Sequence, residues 1–387
     1  MRTFVRQAIF FLLLGGLAAA QDSQLASLRT AILSLRQYAA SHSGLRGGRP
    51  EMTAIKHLLR DWVESRLASF PRNGDEAALT NDLLSAMGQA KLFCDDPNDC
   101  ISTALGFLDQ IQITRESGSL AVTTAVGTGT RCGYDYSAYI YSWEGNQWRR
   151  LWENEQDDYS PAAYHPQTLH AVHISEPAGD RSRLILTLGT PAGCTGAFVP
   201  LYYRVWRTGA PGSAATLVLD RSETLNDESE PPAIAKLTAT DLLIEFSAGG
   251  TGYGDTHKAL RHFEFHGAAP AQVDPIAPTP RDFVEEWLAA PWPESAARSD
   301  SLMLREWYEK LHRDDGQGDY PDPALGCESG LVQIATHLEG LPKHYFLVRT
   351  KAPLHFTMAG VSNQPFPGCT RPDPAADRQP SLIPSNQ

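Results

Sequence analysis

Between Leu120 and Val273 one pattern occurs three times: a strand-like apolar run, a glycine-rich loop, an aromatic strand, a turn and a further strand. The copies start at Leu120, Leu184 and Leu242. Trp143, Trp206 and Phe265 occupy the same place in each, and Tyr141, Arg204 and Phe263 stand two residues earlier, on the same strand face. Another strand-like piece precedes each copy, at residues 112–114, 171–174 and 234–237. A four-stranded antiparallel meander with one apolar face cannot bury that face alone, so such units stack on neighbours. The expected middle of the chain, residues 111–276, is therefore a β-repeat domain of three related units, propeller-like or a related stack. Three units are fewer than the four to eight blades of ordinary propellers. Either a further blade comes from elsewhere or the sheets do not close. The competing explanation is three unrelated hairpins that share the small alphabet of strands and turns.

The flanks read differently. Residues 21–110 carry apolar residues at helical spacing: Leu25, Leu28, Ile32 and Leu35; then Met52, Ile55, Leu58, Leu59, Trp62, Val63 and Leu67; then Leu79, Leu83, Leu84 and Met87. A short fourth helix is expected over residues 101–109. Ala277-Pro278-Thr279-Pro280 reads as a linker into a small α+β domain, residues 277–369. It holds helices near 282–289 and 296–312 and strands near 331–338, 345–350 and 355–358. The Pro-, Asp- and Ser-rich end, 370–387, is expected to be a disordered tail. The fold class that follows is multidomain α+β.

Residues 1–20 look like an address. Arg2 and Arg6 form a positive n-region, Ala8–Leu17 a short apolar core, and Ala18-Ala19-Ala20 a cleavage site for signal peptidase. An N-terminal membrane anchor is the alternative, but the apolar run is short for a bilayer span. No Cys stands at the junction to carry a lipid, and no later stretch is long and apolar enough to be a transmembrane span. Six cysteines, an even number, suit an oxidising compartment. The expected pairs are Cys94–Cys100, Cys132–Cys194 and Cys327–Cys369. The second joins equivalent glycine loops of adjacent units, and the third brackets the C-terminal strands. A zinc site is the rival, but no C-x-x-C spacing is present. A secreted or periplasmic location follows.

A formal charge of −12 argues against a nucleic-acid partner and against binding to acidic lipid headgroups. The chain has no G-x-S-x-G elbow, H-E-x-x-H helix or P-loop. Gly250-Thr251-Gly252-Tyr253-Gly254 follows a strand, but a second strand rather than a helix comes next, so it reads as a turn and not as a dinucleotide site. Asp314–Asp319 and Asp95–Asp99 offer oxygen ligands without EF-hand spacing. His262, Glu264 and His266 share one strand face, with Phe263 and Phe265 on the other. The two histidines stand about 13 Å apart on a straight strand, too far to share a metal without help from elsewhere. Trp148 and Trp152, four apart on one strand with Arg150 between, are expected on one face, packed in the core or, as the rival reading, exposed to stack on a sugar or anchor a partner. The candidate binding residues are thus Trp148, Trp152, His262, Glu264 and His266, with no cofactor, no metal and no catalytic residue assigned. The function expected is a non-enzymatic binding or interaction protein of the cell envelope or extracellular space. Its partner would be another envelope protein or a glycan. The alternatives are a secreted hydrolase, glycan-directed, with carboxylates from separate loops, and an envelope assembly factor.

Overall fold

The computed structural model describes residues 23–38, 50–93, 105–128, 133–157, 159, 167–191, 198–209, 214–226, 233–249, 256–267, 269–313, 324–336 and 343–373. The expected signal peptide, the glycine-rich loops, both Asp-rich loops and Cys94, Cys100, Cys132 and Cys194 lie outside these residues. The protein is α+β, with six helices among the described residues and sheets that are predominantly antiparallel. The sheets do not close, so the propeller-like expectation gives way to open sheets. No helix among the described residues is long and apolar enough to cross a membrane.

Two compact units form. One comprises Met1–Thr195 with Tyr202–Asp220, the other Gly196–Leu201 with Arg221–Gln387. In the first, helices α1 (residues 23–38), α2 (Pro50–Leu67) and α3 (Glu76–Gln89) cover one face of a sheet ordered β1-β2-β3-β4. Those strands are Leu108–Glu116, Ser119–Gly127, Tyr134–Glu144 and Gln147–Asn154. Leu108 and Asp109, expected to end a short helix, open β1 instead. Strands β5 (Gln167–Ile174) and β6 (Leu184–Pro191) pair with each other, and β6 pairs with β7 (Phe198–Arg207). β7 is followed by β8 (Thr216–Asn226).

Both faces of the first sheet are covered, which explains why β2 is buried along almost its whole length. Leu120, Val122, Tyr139 and Tyr141 face the helices. Ala121, Ala138 and Ile140 face Val172, Ile174 and Ile185 of β5 and β6. Two tight hairpins set this register. Ser117-Gly118 closes β1–β2 and Gly145-Asn146 closes β3–β4, with positive φ at all four residues, as type I′ turns require.

In the second unit, β9 (Ala233–Leu237), β10 (Asp241–Gly249), β11 (Thr256–Glu264) and β12 (Ala271–Val273) form another meander. Its C-terminal part holds α4 (Pro280–Ala289), α5 (Trp292–Ala297), α6 (Leu304–Arg313) and a sheet ordered β16-β15-β14-β13-β17. These strands are β13 (Leu325–Gly326), β14 (Leu331–Thr336), β15 (His344–Ala352), β16 (His355–Ser362) and β17 (Arg371–Pro372). Arg371 and Pro372, expected in the tail, pair with β13. The expected linker is buried too: Ala277 is fully enclosed, and Thr279 caps α4 by accepting a bond from the Asp282 amide at 3.1 Å. The reason is packing. Phe283, Val284, Trp287 and Leu288 of α4 sit in one core with Val332, Ile334, Phe346, Val348 and Met358.

Cys327 and Cys369 form the expected disulfide, beside paired strands β13 and β17. The bridge spans 42 residues. Replacing both cysteines by serine should lower stability by about 2–4 kcal/mol, because the unfolded chain regains the entropy of that loop. Urea unfolding of the oxidised protein and of the double variant checks this. Equal midpoints would contradict it.

Candidate functional site

Two concavities adjoin on the first unit and share Arg150 and Glu153 of β4. One, of about 310 Å3, is lined by Leu151, Trp152, Trp206, Ala214 and Ala215 besides the shared pair. The other, of about 430 Å3, is lined by His57, Arg60, Asn154, Glu155 and Asp157 besides the same pair. The first is apolar and aromatic, the second is ionic and borders α2, and the two meet at Arg150 and Glu153.

The ionic end is assembled by a helix face and a strand. His57, Arg60 and Glu64 recur at three- and four-residue spacing along α2 and so share one face. Arg60 bonds Glu155 at 3.1 Å and Glu153 at 3.3 Å. Arg150 bonds Glu64 at 3.0 Å and lies 3.4 Å from Glu153, while His57 stands 3.1 Å from Glu155. Burial lowers the proton affinity of Arg60, but the carboxylates around it, Glu155 first, outweigh that and hold it above its ordinary value. Glu155 also accepts the Tyr139 hydroxyl, whose pKa is pushed well up by burial and then by that neighbouring charge.

Beneath the helix lies a second ionic contact. Lys56 is fully enclosed, bonds Asp135 at 3.2 Å and donates to the Gln156 carbonyl. Asp135 also accepts the Tyr159 hydroxyl. Burial pushes the Asp135 carboxyl up, against the opposing pull of Lys56 and Tyr159.

A bulge creates the aromatic end. Ile140 pairs with Trp152 but Tyr141 pairs with Arg150, so Leu151 is an extra residue in β4. An extra residue reverses the facing of every side chain beyond it. Trp148 therefore packs under the helices, edge-on to Trp143 with ring centres 5.2 Å apart, and donates to the Phe70 carbonyl at 3.1 Å. Trp152 turns to the opposite face and meets Trp206 at 5.0 Å. The expected single aromatic face is thus split. Both are core residues, 7% and 6% exposed, Trp148 on the helix side and Trp152 on the other, where its edge borders the first concavity. Equivalent positions of the three copies also differ: Trp143 lies by the helical core, Trp206 in the groove, and Phe265 is buried in the second unit.

The second unit contains a closed ionic core. His257 and Arg261 sit four apart on β11, on one face. Asp282 and Glu286 sit four apart on α4. His257 Nε2 lies 2.8 Å from Glu286 Oε1. Arg261 reaches Glu286 at 2.7 Å and Glu223 of β8 through two bonds, at 2.9 and 3.0 Å. Asp282 accepts the Lys258 amide at 2.8 Å. Burial works against the His257 charge, but the Glu286 bond and the charges of Glu286, Glu285 and Asp282 raise its pKa overall. Burial would raise Glu286, but Arg261 and His257 prevail and lower it. Of these groups sequence reasoning named only His257, as a possible further metal donor; the available signal was a His and an Arg four apart on the strand face that carries buried Ala259.

His262 and Glu264 are half-buried at the end of β11, and His266 is exposed just beyond it. His262 lies 3.4 Å from Asp241 and His266 3.7 Å from Glu264. No protein-family model matches this chain, and no curated protein matches it either.

Proposed function

We propose that this is an exported, non-enzymatic binding protein whose ligand lies along the β4 groove. Residues 1–20 act as its signal peptide, and the mature chain works in the periplasm or outside the cell. Three related β meanders, expected from the repeated segments, supply the scaffold. The observation that carries the binding role is the union of the Trp152–Trp206 pair with the ionic array through shared Arg150 and Glu153. Each concavity, of about 310 and 430 Å3, falls in the range of small-ligand sites. An indole face stacks on the C–H face of a sugar ring, and the arginines and carboxylates alongside suit a charged substituent. A charged envelope or extracellular glycan is therefore the ligand class.

The hydrolase alternative would use Glu153 and Glu155 in the same groove. Both carboxylates bond Arg60, which makes them links in an ion-pair chain rather than a spaced acid and nucleophile.

The test is titration of the untagged mature protein with cell-wall fragments and acidic exopolysaccharide fragments, followed by tryptophan fluorescence. Saturable quenching should appear with at least one of these probes, and Trp206→Ala should weaken it by about tenfold or more, the cost of one stacking side chain. No saturable response to either probe would overturn the assignment. Release of new reducing ends during incubation would instead make the protein a hydrolase.

A further inference from the structure

In the second unit, Asp241, Glu264 and His266 bring one potential ligand atom each to within 4.8 Å of one another. Asp241 opens β10 and pairs directly with Glu264 at the end of β11, so the two carboxylates face each other across the sheet. His266 joins them because the chain leaves its strand path. β11 ends at Glu264, the Phe265 amide bonds the Thr240 carbonyl at 2.8 Å, and residues 266 and 267 bend back. The imidazole of His266 comes to 3.7 Å from Glu264.

His262 provides an independent sign. Its Nδ1 lies 3.1 Å from the Asp274 carbonyl and its Nε2 3.4 Å from Asp241 Oδ1. Both neighbours are acceptors. An imidazole that donates Nδ1–H to the Asp274 carbonyl can offer its Nε2 lone pair to a cation beside Asp241 Oδ1. A ring N–H on a backbone carbonyl with the other nitrogen on a metal is also the usual way a ligating histidine is oriented. Asp241 is held in place on one side: its Oδ2 accepts the Thr240 hydroxyl at 2.5 Å and the Thr238 hydroxyl at 3.3 Å. Oδ1 is left facing the cluster.

We propose that Asp241, Glu264 and His266 bind a divalent cation of the zinc class, with His262 as the fourth donor. Oxygen and imidazole donors at about 2.0–2.2 Å suit zinc. Two carboxylates and neutral imidazoles also give a net charge that favours a dication. The three ligand atoms lie within 4.8 Å of one another and close around the ion by side-chain rotation, which groups at a sheet end can make. Bound zinc would tie the β9–β10 turn to the end of β11.

The test is calorimetric titration of the untagged, chelator-treated mature protein with zinc alone, together with zinc X-ray absorption. One zinc should bind per chain, with nitrogen and oxygen neighbours. Asp241→Asn, Glu264→Gln and His266→Gln should each weaken binding by about tenfold or more, while His355→Gln, on the exposed end of β16, leaves it unchanged. Affinity should fall as protons compete for the imidazoles in mild acid. Circular dichroism of each variant reports folding separately. No stoichiometric zinc, or zinc retained at full affinity by the folded triple variant, overturns the proposal. A purely oxygen coordination shell overturns the part assigned to His262 and His266.

Discussion

Glu286→Ala should destabilise the second unit by about 3–5 kcal/mol, the usual penalty for breaking a buried ion pair from one side. Glu286 is enclosed, and its two oxygens hold both His257 and Arg261. Its removal strands a guanidinium that is 9% exposed and leaves only Glu223, on the more open side, to compensate. The cost arises from the stranded charge. The double change Arg261→Met with Glu286→Leu should therefore recover most of it, because apolar residues of similar volume pack without desolvation. Urea midpoints of the single and double variants measure both effects. A double variant no better than Glu286→Ala would show that the ionic core cannot be exchanged for packing.

The same core gives the second unit a pH profile. His257 is raised in the folded state, so its contribution is complete below the ordinary imidazole value of 6.5 and fades as pH rises through the higher folded value. Glu286 is lowered, so its contribution is complete above 4.5 and is lost as pH falls through the depressed folded value. Asp282 acts the other way at the acid end: burial raises it despite the Thr279 and Lys258 bonds, so its contribution is complete below 3.8 and fades upward. The acid side is consequently shallow. The expected result is maximal stability between pH 4.5 and 6.5, followed by a decline toward alkaline pH. That decline should shrink in His257→Gln. Unfolding curves from pH 5 to 9 decide the matter, and a flat alkaline side in the parent protein would refute the role given to His257.

The second large effect is expected at Lys56. Asp135→Leu leaves the enclosed ammonium with a carbonyl and the face of Tyr159, 5.2 Å away, and should cost about 3–5 kcal/mol in the first unit. Adding Lys56→Met should restore it to near the parent value. The contact joins α2 to β3 over 79 residues of sequence, so its loss frees the helix layer from the sheet. Hydrogen exchange of the α2 amides in Asp135→Leu should accelerate more than that of β6. Equal acceleration in both would mean that the unit unfolds only as a whole.

Element types were legible where periodicity was strong. Leu28, Ile32, Ile55, Leu59, Trp62, Leu83 and Met87 all face the core at the spacing that marked them as helical. Strands β9–β12 also lie where alternating apolar residues and turn residues marked strands. Boundaries and facing were less accessible. Nothing local to Leu151 announces a bulge, yet that one residue separates Trp148 from Trp152. Ala277–Pro280 has linker composition, but the apolar side of α4 draws it into the core. His266 lies just past the end of β11 and joins Glu264 and Asp241, a grouping that depends on the pairing of β10 with β11.

The chain alone therefore determined the class of most of its elements and their order, because local periodicity carries that information, while the pairing of Cys327 with Cys369, one choice among fifteen from sequence, was fixed by the structure. Tertiary structure alone decided which charges are buried together and which aromatic rings meet a groove. Lys56 with Asp135, and His257 with Glu286, are partners 79 and 29 residues apart. Their attraction depends on distance in space and on the exclusion of water, and neither quantity is written in the neighbours of a residue along the chain.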